Sequence, residues 1–336
     1  MSHTRQSRPY PLSATNLPRR TGVEAEGSLP TTRDGDAAYV VCEDRRVRHV
    51  YDCPLRWADM DSLGHVNNVV YVDYLQELRV DMLRVHAPGP EAAELAEGVV
   101  VVRHDLEFVR PLAYREKPVR VEAWCEEVRA ASFRLGYEIV DPADSDGERR
   151  VYLRASSVLA PFSFSSHRPR RISERERTAL LHYTEPPRVE PAPAARVERL
   201  LAEDRDGYAY PCRVRWSDID AYGHVNNVKF VEYFQEARIA MVAEAVDGRQ
   251  ADRGSFVVAR VDVDYRRPLE FQTEAVTVRT WVTRLGRSSY ELQAAVCDDG
   301  TVYAMSRTVV VAFDAASDRS RPLSDGERAA LETRLV

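Results

Sequence analysis

The chain repeats itself, and the repeat limits its fold more than any other property of the sequence. Arg56 to Val80 reads RWADMDSLGHVNNVVYVDYLQELRV and Arg215 to Ile239 reads RWSDIDAYGHVNNVKFVEYFQEARI. These segments share 15 of 25 residues, including an unbroken GHVNNV. Further on, VVVRHDLEFVRPL (Val100–Leu112) answers VVARVDVDYRRPL (Val257–Leu269), VRVEAW (Val119–Trp124) answers VTVRTW (Val276–Trp281), and SERERTALL (Ser173–Leu181) answers SDGERAALE (Ser324–Glu332). The order is kept and the gaps stay small, so the chain is one domain written twice. Two long copies do not make a solenoid of short units. EPPRVEPAPAA, residues 185–195, lies between them, and its prolines suit a semi-rigid linker. The expected division is a leader over 1–46, a first domain over 47–184, a linker over 185–204 and a second domain over 205–336.

Composition narrows the class. With 44% hydrophobic and 30% charged residues the chain reads as soluble and globular. Its net charge of −6 offers no bulk positive field to nucleic acid. No run of about 18 apolar residues is present to span a membrane. The leader has arginines but no apolar stretch of the secretory kind, and its Ser, Pro, Arg, Thr and Gly content predicts disorder. Cys42, Cys53, Cys125, Cys212 and Cys297 form no CxxC pair, which fits reduced thiols in the cytoplasm rather than disulfides or zinc. Neither a metal nor a cofactor is expected.

Each copy carries the same pattern of elements. Val47 to Trp57 alternates, with Val47, Tyr51, Cys53, Leu55 and Trp57 on the apolar face and Arg48, Asp52 and Arg56 opposite. Tyr208, Tyr210, Cys212, Val214 and Trp216 repeat the register, and Pro54 and Pro211 point to a sheet edge or bulge. A helix follows, with Tyr71, Leu75, Leu78, Met82 and Val85 on one stripe and Phe230, Phe234, Ala237 and Met241 on its counterpart. Strands are expected near 99–108, at Val119 to Cys125, at Phe133 to Ile139 and around 151–159. The result is β-α-β-β-β-β, an α+β domain with one helix against a mostly antiparallel sheet.

The loop between the first strand and the helix holds the chemistry-bearing residues. It contains Asp59, Asp61, Gly64, His65, Asn67 and Asn68 in the first copy, and Asp218, Asp220, Gly223, His224, Asn226 and Asn227 in the second. The glycine allows positive φ or close approach of a ligand. An asparagine there can cap free N–H groups of the helix, whose N-terminus favours a developing oxyanion. A carboxylate upstream, facing amide donors, is the arrangement that cleavage of an acyl carbonyl compound needs. Asp59, Asp61 and His65 include metal-ligand types, but their spacing matches no familiar site.

This D-x-D-x-x-G-H-V-N-N run before a buried helix resembles the hotdog-fold acyl thioesterases of the 4-hydroxybenzoyl-CoA type. It is also similar to the acyl-carrier-protein thioesterases that carry two hotdog units in one chain. The resemblance implies two tandem hotdog domains forming an intrachain pseudo-dimer, and hydrolysis of an acyl-CoA or acyl-carrier-protein thioester. It further implies Asp61 and Asp220 as catalytic carboxylates, acting as nucleophile or general base. His65 and His224 are catalytic candidates, and Gly64, Asn68, Gly223 and Asn227 bind substrate, with the Asn68 and Asn227 amides polarising the carbonyl. The carrier-protein enzymes have an asparagine two residues after the aspartate, whereas this chain has Leu63 and Tyr222. Both motifs are complete, which implies two working sites. Chain length of the acyl group and further oligomerisation stay open. Other readings are a non-catalytic acyl-thioester-binding module and a hotdog enoyl-CoA hydratase; the latter expects an Asn-Pro pair that is not found here. Outside the loop, Glu77 and Glu236 are expected to pair with Arg79 and Arg238, Cys53 and Cys212 to fill the core, and Arg110, Arg266 and Arg267 to be available to coenzyme A phosphates.

Overall fold

Alternation along the chain becomes sheet faces. Val119, Val121, Ala123 and Cys125 are all buried on one side of β4 (Val119–Val128), and Phe133, Leu135, Tyr137 and Ile139 on the same side of β5 (Phe133–Asp141). The long apolar stripe becomes α1 (Val70–His86), whose Tyr71, Val72, Tyr74, Leu75 and Leu78 bury against that face. β2 (Val47–Cys53), β3 (Val99–Phe108) and β6 (Arg150–Ser163) complete the wrap, with the two-residue β7 (Arg168–Pro169) paired to the end of β6. The second half repeats it with β8 (Tyr208–Cys212), α4 (Asn227–Ala245), β9 (Ser255–Tyr265), β10 (Val276–Leu285), β11 (Ser289–Asp298) and β12 (Thr301–Asp314). This computed structural model describes residues 39–41, 47–86, 98–142, 148–163, 166, 168–193, 195–203, 205–245, 255–314, 316–317 and 319–336. Each half is a hotdog: an antiparallel sheet curled on one long helix.

The two sheets are one. Among the described residues the strand order is β1-β2-β4-β5-β6-β3-β9-β12-β11-β10-β8, antiparallel throughout, where β1 is Tyr39–Val41. β3 and β9 join the halves, with Arg103 opposite Asp264, Asp105 opposite Asp262 and Glu107 opposite Arg260. The intervening residues, His104 and Leu106 with Val261 and Val263, face inward, where one apolar cluster runs through both halves. The proline segment crosses the other side of this seam. The Arg260 guanidinium donates to the Glu190 carbonyl (2.8 Å), and Arg103 donates to that of Ala192 (3.1 Å). Short helices α2 (Glu174–Leu181), α3 (Val197–Ala202) and α5 (Asp325–Glu332) cover the outer surface. α2 and α5 start on matching capping boxes, Ser173 with Glu176 and Ser324 with Glu327.

Several expectations change. Residues 39–41 pair with β2 as a strand, so the expected disordered leader does not extend through them; its remainder lies outside the described residues, as does Cys42. β2 stops at Cys53, one residue before Pro54, and lies between β1 and β4 rather than at an edge. Pro211 does sit on the edge strand β8. Trp57 and Trp216 are not strand residues on an apolar face: each opens a 3₁₀ turn and is about three-quarters exposed, at 76% and 74%. Val85 ends its helix exposed. Arg48, expected at the surface, is buried over the Trp124 ring at 4.3 Å and pairs with Glu122, Glu138 and Glu185 at 2.7–3.0 Å. Its counter-charge Glu185 comes from the proline segment, too far along the chain for strand alternation to reveal.

Candidate active site

The first aspartate of each loop is a structural brace. Asp59 is 2% exposed; it accepts from the Arg56 backbone N–H (2.8 Å) and guanidinium (2.9 Å), and from the Tyr74 hydroxyl (2.6 Å). Asp218 repeats this with the Arg215 N–H (2.8 Å) and the Tyr233 hydroxyl (2.6 Å). These bonds fasten the loop to its own helix. The Val66 N–H donates to the Leu112 carbonyl (2.7 Å), and Val225 does the same to Leu269 (2.8 Å), which explains why the R-P-L turn recurs.

The second aspartate is held differently. Asp61 Oδ1 accepts from the backbone N–H groups of Leu63 (2.8 Å) and His65 (3.2 Å). Oδ2 has no hydrogen-bond partner among the described residues. The loop reverses through Gly64, at φ 77°, and Gly223, at φ 83°, a region that glycine enters without strain. Asn67 Oδ1 caps the Val69 N–H at 2.9 Å, while the neighbouring Asn68 N–H takes no partner among the described residues. A carboxylate oxygen and a backbone donor are therefore both free at the start of α1.

They meet a cavity of about 1290 Å³, larger than most small-molecule sites. From the first half Asp61, His65, Asn68, Phe108 and Arg110 line it. From the second come Gln235, Arg238 and Val242 of α4, with Phe256, Val258 and Tyr290. Neither half encloses it alone. Arg110, at 56% side-chain exposure, and Arg150 stand on its wall and share Glu148, at 3.8 and 3.7 Å, while Arg266 pairs with Glu198 at 3.4 Å.

The second loop folds alike but meets different surroundings. Asp220 Oδ1 accepts from the Tyr222 N–H (2.9 Å), yet Asp220, His224 and Asn227 do not border the cavity. The Asn227 side-chain amide lies 3.2 Å from His104 Nε2, and the Asn227 carbonyl accepts from the Tyr265 hydroxyl (2.9 Å). His104 Nδ1 is 2.7 Å from Ser157 Oγ. Burial, aided by the Arg79 charge, holds the His104 imidazole well below its usual range, so it is neutral. Around the first loop the matching strand positions are Val261 of the second half and Phe108 of the first, and the side-chain Nδ2 of Asn68 is buried without a partner among the described residues.

Of the expected site residues, the cavity gathers Asp61, His65 and Asn68; Gly64 shapes the turn without lining it, as Gly223 does in the second loop. Arg238 and Tyr290 were not anticipated there, nor were His104 and Tyr265 beside Asn227 of the second loop. The expected helix ion pairs do not form: Glu77 and Glu236 are exposed, and neither makes an ion pair among the described residues. Cys53 and Cys212 are core residues whose thiols burial pushes up to about 12 and about 11, which removes them as nucleophiles near neutral pH. No group of three or more metal-ligand side chains occurs among the described residues. None of their helices is long and apolar enough to cross a membrane.

The sequence matches the thioesterase-like superfamily over residues 55–192 and again over 214–331. It is 30% identical over 125 residues to an acyl-CoA thioester hydrolase of Escherichia coli O6:H1, covering 34% of this chain and 89% of that one. It is 27% identical over 124 residues to a long-chain acyl-CoA thioesterase of Escherichia coli K12, covering 36% and 93%. Among solved structures, the 12:0-ACP thioesterase from Umbellularia californica superposes with a TM-score of 0.58 over 79% of this chain and 93% of its own. Its identity is 16%, a likeness of fold.

Proposed function

The chain belongs to the thioesterase-like superfamily and is an acyl thioester hydrolase, and from that premise we propose that it cleaves acyl-CoA with Asp61 and Asp220 as its reacting carboxylates, turnover running mainly through Asp61. The observation that carries this reading is the cavity: it places Asp61, His65 and Asn68 on one wall of a space large enough for an acyl chain and the thiol arm of its carrier. The Asn68 N–H polarises the thioester carbonyl and stabilises the oxyanion. Asp61 either takes a proton from the attacking water or attacks the carbonyl carbon itself, and water then cleaves the acyl-aspartyl anhydride. In both routes the C–S bond breaks, the thiolate leaves as thiol after protonation, and one water ends in the free acid. His65, with no ring partner among the described residues, is the second group able to move a proton at this wall. Arg110 and Arg150 supply local positive charge for coenzyme A phosphates, which the net charge of −6 does not provide.

The test is thiol release from a panel of short, long and aromatic acyl-CoA esters by the parent, Asp61→Asn, Asp220→Asn and the double variant. Full activity in the double variant ends the aspartate proposal.

A further inference from the structure

Two donors in the cavity have no acceptor. Arg238 lines it from α4, and its guanidinium makes no hydrogen bond or ion pair among the described residues. Tyr290 reaches it from β11, is 2% exposed, and its hydroxyl is likewise unpaired among the described residues. The two lie near enough to interact electrostatically, and burial lowers the pKa of Arg238. Two carboxylates are close enough for their charge to reach this pair, Glu236 to Arg238 and Glu327 to Tyr290, but neither bonds to the guanidinium. Glu327, also on the cavity wall, accepts from Arg321 at 2.7 and 2.8 Å and from the Ser324 N–H at 2.8 Å. Glu236, two residues before Arg238, faces solvent.

The matching arginine of the first half lies away from the cavity, among protein groups, although its Nη1 and the Tyr137 hydroxyl are buried without hydrogen-bond partners among the described residues. Arg79 occupies the matching place in α1, and Tyr137 and His104 lie within its electrostatic reach, with Ser157 bonded to His104. By strand register the second half has Ala294, Val261 and Thr308 at these three positions. It has therefore lost the tyrosine and the histidine, kept the arginine, and turned that arginine towards open space. An unpaired guanidinium beside Val242, Phe256 and Val258 is costly unless something in the cavity answers it. A guanidinium's planar fork matches a carboxylate with two parallel bonds, and a phenol can add a third.

We propose that Arg238 and Tyr290 form a receptor for a carboxylate on the acyl group, so that the preferred substrates are CoA half-thioesters of dicarboxylic acids. This rests on the hydrolase reading above. The scissile carbonyl lies at the Asp61 wall, the apolar residues hold the methylene chain, and the guanidinium takes the distal acid.

The experiment compares suberyl-CoA with octanoyl-CoA, which differ only in the terminal carboxylate. In the parent, kcat/KM favours suberyl-CoA by about tenfold or more, chiefly through KM, a preference that corresponds to one charge-assisted contact. Arg238→Gln removes that preference, Arg238→Lys restores part of it, and Tyr290→Phe weakens it about threefold. Equal handling of both esters by the parent overturns the proposal, as does an Arg238→Gln variant that lowers both rates alike. If Arg238→Gln does not fold, Tyr290→Phe reads the same ratio, and an unchanged ratio overturns the proposal. Failure of every CoA ester to release thiol would end the hydrolase reading instead. Calorimetry with carboxyheptyl-CoA and octyl-CoA thioethers, which cannot be hydrolysed, then decides the receptor separately: equal affinities reject it.

Discussion

Asp59 and Asp61 stand two residues apart, and their hydrogen bonds separate what they do. All of Asp59's capacity is taken by Arg56 and Tyr74, so Asp59→Asn sets an amide donor against the buried Tyr74 hydroxyl or the Arg56 N–H, frees the exposed Arg56 guanidinium, and should cost about 2 kcal/mol of stability. Asp61→Asn keeps an oxygen for the Leu63 and His65 N–H groups while removing the charge. It should unfold with the parent yet lose about 10²–10⁴-fold in kcat. Unfolding midpoints and thiol release, measured on both variants, check the pair; an active Asp61→Asn or a stable Asp59→Asn contradicts the assignment. The loop was legible because its residues sit within one short motif written twice. His104 was not: it reaches Asn227 across 123 residues of chain, and a histidine within an apolar strand pattern carries no sign of what it will meet. Arg238 was misread for the same reason. Helical spacing suggested Glu236 as its partner, but the two point to different sides of α4.

At the scale of elements, apolar periodicity predicted the strands and helices well because each buries one face against the other. It was least informative where both faces are covered. β4 and β5 are largely buried on the outer side too, by Arg48, the proline segment and α2, so polar positions such as Glu122 and Glu138 are not solvent-facing. That outer layer has its own packing. Gly136 of β5 lies opposite Trp124 of β4, and a Cβ there would come within 2.5 Å of the indole ring and 2.4 Å of Glu126 Oε1. Trp124 in turn carries Arg48 on its face. Gly136→Ala should therefore destabilise the first half by about 2 kcal/mol through overpacking, although alanine suits a strand better than glycine does. Chemical unfolding measures this directly, and a gain in stability would show that the indole yields easily. A Cβ added at Gly207 would come within 2.7 Å of the Trp281 ring, so the second half uses the same device from a different stretch of chain.

The whole molecule is a dimer folded into one chain, and its two halves have diverged where a true homodimer could not. Both loops are intact, but the cavity joins the first loop to the interior of the second half. Asp61→Asn should therefore abolish most turnover and Asp220→Asn less than about a tenth as much, whereas equal losses would mean two equivalent sites. The seam that binds the halves carries its own signature. Asp105 and Asp262 face each other across β3 and β9, both almost wholly buried, with Arg103, Arg260 and Arg307 around them. Burial pushes the Asp262 carboxyl up to about 6 against the pull of Arg260, and the Asp105 carboxylate adds to the rise. In the unfolded chain an aspartate titrates near 3.9, so between roughly pH 4 and 6 the folded state binds more protons than the unfolded one. The stability this provides is fully present below about pH 4 and is lost as pH rises through 6. Asp262→Asn imitates the protonated form at every pH while keeping an oxygen for Arg260 and Arg307. Parent and variant should thus unfold alike near pH 3.5, and the variant should be more stable by about 2 kcal/mol at pH 7.5. Denaturant midpoints at the two pH values decide it: a variant less stable at pH 7.5 would mean that the arginines hold Asp262 ionised and that the seam is an ion-pair network throughout.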